Sequence, residues 1–176
     1  EIDKQAEKKS KDFIFNSIKT KAAKLGYTFN DISSGGTPAH YSLESGNHKI
    51  HLVFHASAHD MQNSPPEACY LGMTQTNIDF FKEVSPENRF LVFLNNSTNN
   101  FVILPYSFYH PRMRYSNSAT GQWDPSGRQE NSFRLKINSD EITFPTNDEY
   151  RASGGPDHEN CDYFMRNINE IFGKSV

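Results

Sequence analysis

The sequence predicts an α+β domain: a mixed, mainly antiparallel sheet with an N-terminal helix, one mid-chain helix and a C-terminal helix. Three observations lead there. Ile14, Ile18, Ala22 and Leu25 recur at the spacing of a single helical stripe. Arg89-Phe90-Leu91-Val92-Phe93-Leu94 and Phe101-Val102-Ile103-Leu104-Pro105 flank the polar run Asn95-Asn96-Ser97-Thr98-Asn99-Asn100, as two strands flank a turn. Helical and strand patterns then alternate in the order helix, strands, helix, strands, helix.

Residues 6–25 form the first helix, and Gly26 suits its end. Its lysines lie mostly off the apolar stripe. Residues 27–32 read as a short strand, and Ser33-Ser34-Gly35-Gly36-Thr37-Pro38 as a turn. Residues 40–43 and 49–57 form a hairpin around Glu44-Ser45-Gly46-Asn47. In its second strand Ile50, Leu52, Phe54 and Ala56 share one face, and His51, Val53, His55 and Ser57 the other. A loop with Pro65-Pro66 leads to a strand at 68–73, and Thr74 caps a helix over 75–84 with Ile78 and Phe81 inward. Strands 89–95 and 100–105 follow. Later strands cover 133–137 and 141–144, joined by Asn138-Ser139-Asp140. Residues 151–156 read as a flexible connection. A last helix over 158–172 offers Phe164, Ile168, Ile171 and Phe172 as its apolar side, with Gly173 after it.

Between these strands, residues 108–130 read as a long loop. Structureless stretches beyond roughly 12–15 residues in a compact domain are usually functional or disordered. This one holds Arg112, Arg114, Arg128, Tyr109, Tyr115 and Trp123, the only tryptophan. Such a composition favours binding over mere connection.

With 176 residues, one domain spanning 1–176 is expected, and a chain that begins at Glu1 rather than Met reads as excised from a larger protein. The fourteen Phe and eight Tyr suit a sheet-rich interior. No apolar run approaches the roughly 18 residues that span a membrane, and no signal peptide is visible. Cys69 and Cys161 are the only cysteines and nothing pairs them, so a reduced, cytoplasmic setting is expected. The net charge of −3 argues against a strongly basic nucleic-acid binder, but its distribution is uneven. Residues 1–25 carry seven Lys against four acids and residues 110–139 five Lys/Arg against two, each +3. The remaining segments are acidic. Two basic segments on an acidic body can make a local positive face that steers charged partners.

The histidines do not form a metal motif. His51 and His55 share a strand face but stand four residues apart, about 13 Å, too far for one ion. They read as polar-face histidines. Ser33-Ser34-Gly35-Gly36 lacks the lysine and glycine spacing of a phosphate loop, and neither cysteine shows a base partner that would make it a nucleophile.

Three stretches carry a family likeness. They are Asn30-Asp31-Ile32-Ser33-Ser34-Gly35-Gly36-Thr37-Pro38-Ala39-His40-Tyr41, then Lys49-Ile50-His51-Leu52-Val53-Phe54-His55-Ala56-Ser57, then Tyr70-Leu71-Gly72-Met73-Thr74 followed by Ile78-Asp79-Phe80-Phe81. In order and pattern, residues 27–105 resemble the core of the PD-(D/E)xK restriction-endonuclease-like fold. That family implies a magnesium-dependent nuclease built on an Asp and a Glu-x-Lys pair. Here His40 stands for the Asp, and His51/Val53 or Val53/His55 for Glu-x-Lys. Magnesium needs hard oxygen ligands, and only Asp31 and Glu44 are near. The likeness therefore implies a degenerate core reused for binding. Residues 70–137, a strand, a helix, two strands ending in Ile103-Leu104-Pro105 and then a variable loop, are also similar to DNA-recognition modules of prokaryotic restriction systems. These include B3-like domains and the target-reading domains of modification-dependent enzymes.

The expected function is accordingly non-catalytic DNA recognition within a restriction or defence protein, with no cofactor. Arg112, Arg114 and Arg128 would contact phosphates or pair bidentately with guanine. Tyr109, Tyr115 and Trp123 would stack on a base, one flipped from the duplex included. Asn117 and Gln122 would read adenine edges, and lysines of the first helix, Lys19 among them, would hold the backbone. Two alternatives stand beside it. One is a divergent nuclease using Mg2+ with Asp31 and Glu44. The other is a protein-interaction domain with aromatic hot spots.

Overall fold

The computed structural model describes residues 4–32, 39–57, 68–72, 75–95, 100–112, 114–116, 129–136, 141–143, 152–155, 158–160, 162–164 and 166–173. In chain order these hold α1 (Lys4–Lys24), β1 (Thr28–Asp31), β2 (Ala39–Ser45), β3 (His48–Ser57), β4 (Ala68–Gly72), α2 (Gln75–Lys82), β5 (Arg89–Asn95) and β6 (Asn100–Pro105). Then come α3 (Tyr106–Tyr109), β7 (Arg114–Ser116), β8 (Gln129–Lys136), β9 (Glu141–Thr143), β10 (His158–Asn160) and α4 (Asn169–Phe172). Short 3-10 turns cover Pro86–Asn88, His110–Arg112 and Asp162–Phe164. The class is α+β, as the sequence predicts. No helix among the described residues is long and apolar enough to cross a membrane.

α1 stops where Gly26 takes φ 83°, a conformation open to glycine at little cost. Gly26 N–H donates to the Ala23 carbonyl at 3.2 Å and Tyr27 N–H to the Ala22 carbonyl at 2.8 Å. That pair of bonds is a Schellman motif. It turns the chain so that Tyr27 and Ala22 both enter the core and β1 begins. The β2–β3 hairpin closes at Ser45↔His48 around Gly46-Asn47, with Gly46 at φ 58° in the first central position. A two-residue loop of this kind matches the twist of the flanking strands.

The first sheet has the order β1-β2-β3-β5-β6. Only β3 and β5 are parallel, and the chain between them passes through β4 and α2. Both faces are covered. Ile14, Phe15, Ile18 and Ala22 of α1, with Ile171 and Phe172 of α4, pack on one face against Leu43, Leu52, Phe54, Val92 and Ile103. Ile78 and Phe81 of α2, with Tyr109 of α3, pack on the other against Val53, Leu91, Phe93, Val102 and Leu104. Each fully buried side chain of this size contributes about 1.5–3 kcal/mol relative to exposure. Burial on both faces explains the unbroken apolar runs of β5 and β6.

The remaining strands form a second, antiparallel sheet in the order β10-β9-β8-β4, with β7 also paired to β8. Strand pattern alone does not divide strands between sheets, and β4 joins this one by pairing with β8.

Two expectations change. The helix over 158–172 contracts to Asn169–Phe172, behind a strand and a 3-10 turn. Its intended apolar side serves two cores: Phe164 packs on Phe108 with ring centroids 4.6 Å apart, whereas Phe172 meets Tyr27 at 5.8 Å across the sheet. One straight helix cannot reach both. The break is Arg166, at φ 53°, whose N–H donates to the Phe101 carbonyl at 2.9 Å and covers part of the β6 edge. The long loop over 108–130 also shortens. Tyr109 is fully buried against Phe81 and Tyr106, so it is a core residue rather than a base-stacking one. β7 and β8 then take up residues at both ends.

Candidate nucleic-acid interface

β7 and β8 pair antiparallel, Arg114↔Ser132, Tyr115↔Glu130 and Ser116↔Gln129, with a register shift between Arg114 and Tyr115. Directly opposed residues in such a ladder stand about 5 Å apart. Ser116 and Gln129, which flank residues 117–128 in sequence, are therefore held side by side at one end of the second sheet. Asn117, Gln122, Trp123 and Arg128 belong to the segment between them and lie outside the described residues. Arg114 and Tyr115 are adjacent residues of β7, on either side of the register shift.

Arg112 has a structural assignment. Its Nε donates to Glu159 Oε2 at 2.9 Å and its Nη2 to Glu159 Oε1 at 2.6 Å, while Nη1 donates to the Phe108 carbonyl at 2.7 Å. The guanidinium also lies 4.0 Å from the centre of the Phe108 ring. Bidentate, charge-assisted pairs of this type are among the stronger polar contacts in proteins. Because Glu159 sits in β10, the pair clasps the 3-10 turn after α3 to the second sheet. A phosphate would have to displace Glu159 to reach this guanidinium.

Lys19 is exposed on α1, its Nζ 5.0 Å from the Phe29 ring centre. Lys11 lies over Phe54 at 5.2 Å in the same manner. Contacts of this kind cost little to leave at a solvent-facing site, about 0.5–1 kcal/mol.

The two carboxylates named for a nuclease do not converge. Asp31 pairs across the ladder with Tyr41, and Glu44 with Thr28. They sit at opposite ends of that ladder, about 10 Å along the strand, and on opposite faces of the sheet. Glu44 instead meets Lys49 at 3.3 Å. Among the described residues no group of three His, Cys, Asp or Glu stands close enough to hold a metal ion. Asp31 and Glu44 by themselves do not make a magnesium site.

The positions where the family likeness would place its acids hold a buried aromatic layer instead. The Phe80 ring lies between His40, at 4.3 Å and 5°, and His51, at 3.9 Å and 9°. His51 Nδ1 donates to the Phe80 carbonyl at 2.8 Å, and His40 Nε2 bonds Asn77 Oδ1 at 2.7 Å. Because that carbonyl only accepts, the His51 proton sits on Nδ1, and Nε2 is a bare, buried nitrogen without a partner among the described residues. Burial pushes the His51 pKa down. The Phe80 carbonyl and the Glu83 carboxylate, 3.9 Å away, oppose that shift without overcoming it. Burial also lowers the pKa of His55, which stacks on Phe93 at 5.3 Å. A His51 ring only 1% exposed reaches no substrate, so this layer holds α2 to the sheet rather than moving protons for a reaction. Strand alternation alone predicts polar-face histidines here. The missed signal was on α2, where Asn77 and Phe80 fall one turn apart and supply a bond and a stacking surface.

No protein-family model matches the chain, and no curated protein or solved structure matches it either.

Proposed function

We propose that the chain is a non-catalytic DNA-recognition domain of a prokaryotic restriction or defence system. The observation that carries this reading is the β7–β8 pairing, which gathers the ends of a segment rich in base-reading residue types. Before Ser132, β8 pairs with β7 alone among the described strands, and a two-stranded ribbon is narrow enough to enter a major groove. Arg114 and Arg128 would then pair with guanine or phosphate, Asn117 and Gln122 with adenine edges, and Tyr115 and Trp123 with a base face. Lys19 would contact the backbone from α1. Arg112 would act through its clasp on Glu159, holding the root of the ribbon. The divergence of Asp31 and Glu44 favours binding over cleavage.

The test is fluorescence anisotropy with a short labelled duplex across a salt series. Affinity should fall with salt by a log–log slope of about 0.9 per phosphate contact. Lys19→Ala should reduce that slope by about 1, and Arg114→Ala or Arg128→Ala should weaken the preferred sequence by about 1–3 kcal/mol. No binding at low salt to any duplex, methylated or unmodified, would refute the proposal. Plasmid cleavage in Mg2+ or Mn2+ that Asp31→Ala abolishes would establish the nuclease alternative instead.

A further inference from the structure

We propose that a second site, remote from the β7–β8 ribbon, binds an aliphatic cation: an ammonium or guanidinium group on an alkyl stem. A cavity of about 490 Å³ opens where β3 and β5 begin and β6 ends, beside α4. That volume lies within the usual range for small-ligand sites. Its floor is apolar, made by Phe90, Pro105 and Ile171. Among the described residues, the only charged side chains lining it are Glu87 and Glu170. Among the described residues, neither carboxylate has a side-chain hydrogen bond or an ion pair. Tyr163 completes the wall with a ring that is 70% exposed, unusual for so large an aromatic.

The surrounding groups leave this acidic character in place. His48, at the cavity edge, has both ring nitrogens engaged: Nδ1 with the Tyr27 hydroxyl at 2.7 Å and Nε2 with Asn88 Oδ1 at 3.1 Å. The amide oxygen accepts, so Nε2 donates to it, and Nδ1 is bonded to the tyrosine hydroxyl. Arg89 is next in sequence to Asn88, but its guanidinium lies over the Tyr106 ring at 4.8 Å and its Nε donates to the Val84 carbonyl at 3.0 Å. No ion pair among the described residues joins it to Glu87.

An alkyl stem would cover the floor while the cationic head meets the two carboxylates and the Tyr163 face. Charge-assisted bonds and cation–π contact both favour a cation there over a neutral head. An anion would face two like charges. The lining therefore discriminates by charge at the rim and by length at the floor.

The experiment is a two-dimensional amide NMR titration of the full chain with hexylammonium, hexanoate and hexanol. Hexylammonium should shift the amides of Asn88, Ser107, Glu170 and Gly173, with hexanoate leaving them in place and hexanol acting weakly. The double variant Glu87→Gln, Glu170→Gln keeps side-chain shape at exposed or half-exposed positions, and should weaken hexylammonium by about tenfold or more. Tyr163→Ala, at a surface position, should weaken it less. Cadaverine and Nα-acetyl-lysine methylamide then distinguish the source: tighter binding of the first points to a free polyamine, of the second to a peptide side chain. Equal shifts with hexanoate, no shifts with any cation at millimolar concentration, or full binding by the double Gln variant would each overturn the proposal.

Discussion

Replacing Phe80 with alanine removes the ring that separates two imidazoles, and its effect can be worked from the contacts. Phe80 is 8% exposed, so the substitution deletes a core side chain, at a cost of about 3–5 kcal/mol. The rings at 4.3 and 3.9 Å lose their stacking partner, which places the loss toward the upper part of that range. The carbonyl that accepts from His51 belongs to the backbone and survives, which limits the loss from above. We expect about 4 kcal/mol. Phe80→Leu, which keeps most of the volume but not the flat surface, should cost about 1–2 kcal/mol. The assay is equilibrium urea unfolding at pH 8, followed by circular dichroism with the slope m shared between variants. A loss below about 1.5 kcal/mol for Phe80→Ala, close to the surface range, would refute the packed-layer reasoning.

Three further outcomes follow from the same geometry. Glu159→Gln should destabilise the fold by about 1–3 kcal/mol in thermal or urea unfolding, because it leaves a largely buried Arg112 half-paired. Gly26→Ala should cost about 1–2 kcal/mol, since the methyl meets no neighbour but the backbone stays at φ 83°; an unchanged midpoint would show that α1 does not need its Schellman stop. Stability should fall on acidification. The folded-state pKa values of His51 and His55 are depressed, so the unfolded chain binds more protons below the ordinary histidine value of about 6.5. Their contribution is fully present above about pH 6.5 and is lost as the pH falls below it, toward the folded-state values. His55→Gln should flatten urea midpoints measured from pH 7.5 to 5, and an unaltered profile would remove His55 from the explanation.

What the sequence made legible was local. Gly26 stops α1, Gly46-Asn47 turns the hairpin, and His51, Val53 and His55 share a face of β3, because each depends on residues a few positions apart. What it hid depends on partners far along the chain. Nothing near Phe164 reveals that it packs on Phe108 while Ile171 and Phe172 cross to the other core. Arg112 looked like one of three loop cations, and its assignment needed Glu159, 47 residues away. The His40–Phe80–His51 layer joins β2, β3 and α2, so neither strand alternation nor helical periodicity contains it. The ribbon was half legible: its basic and aromatic residues were evident, but the pairing of Ser116 with Gln129 that closes it was not.

Hydrogen–deuterium exchange of the full chain, with and without a saturating duplex at low salt, tests the proposed interface most directly. New protection over peptides covering 114–132 with the α2–sheet core unchanged is the expected result. Protection absent there, or confined to α4 and the cavity beside it, would contradict a DNA interface built on the β7–β8 ribbon.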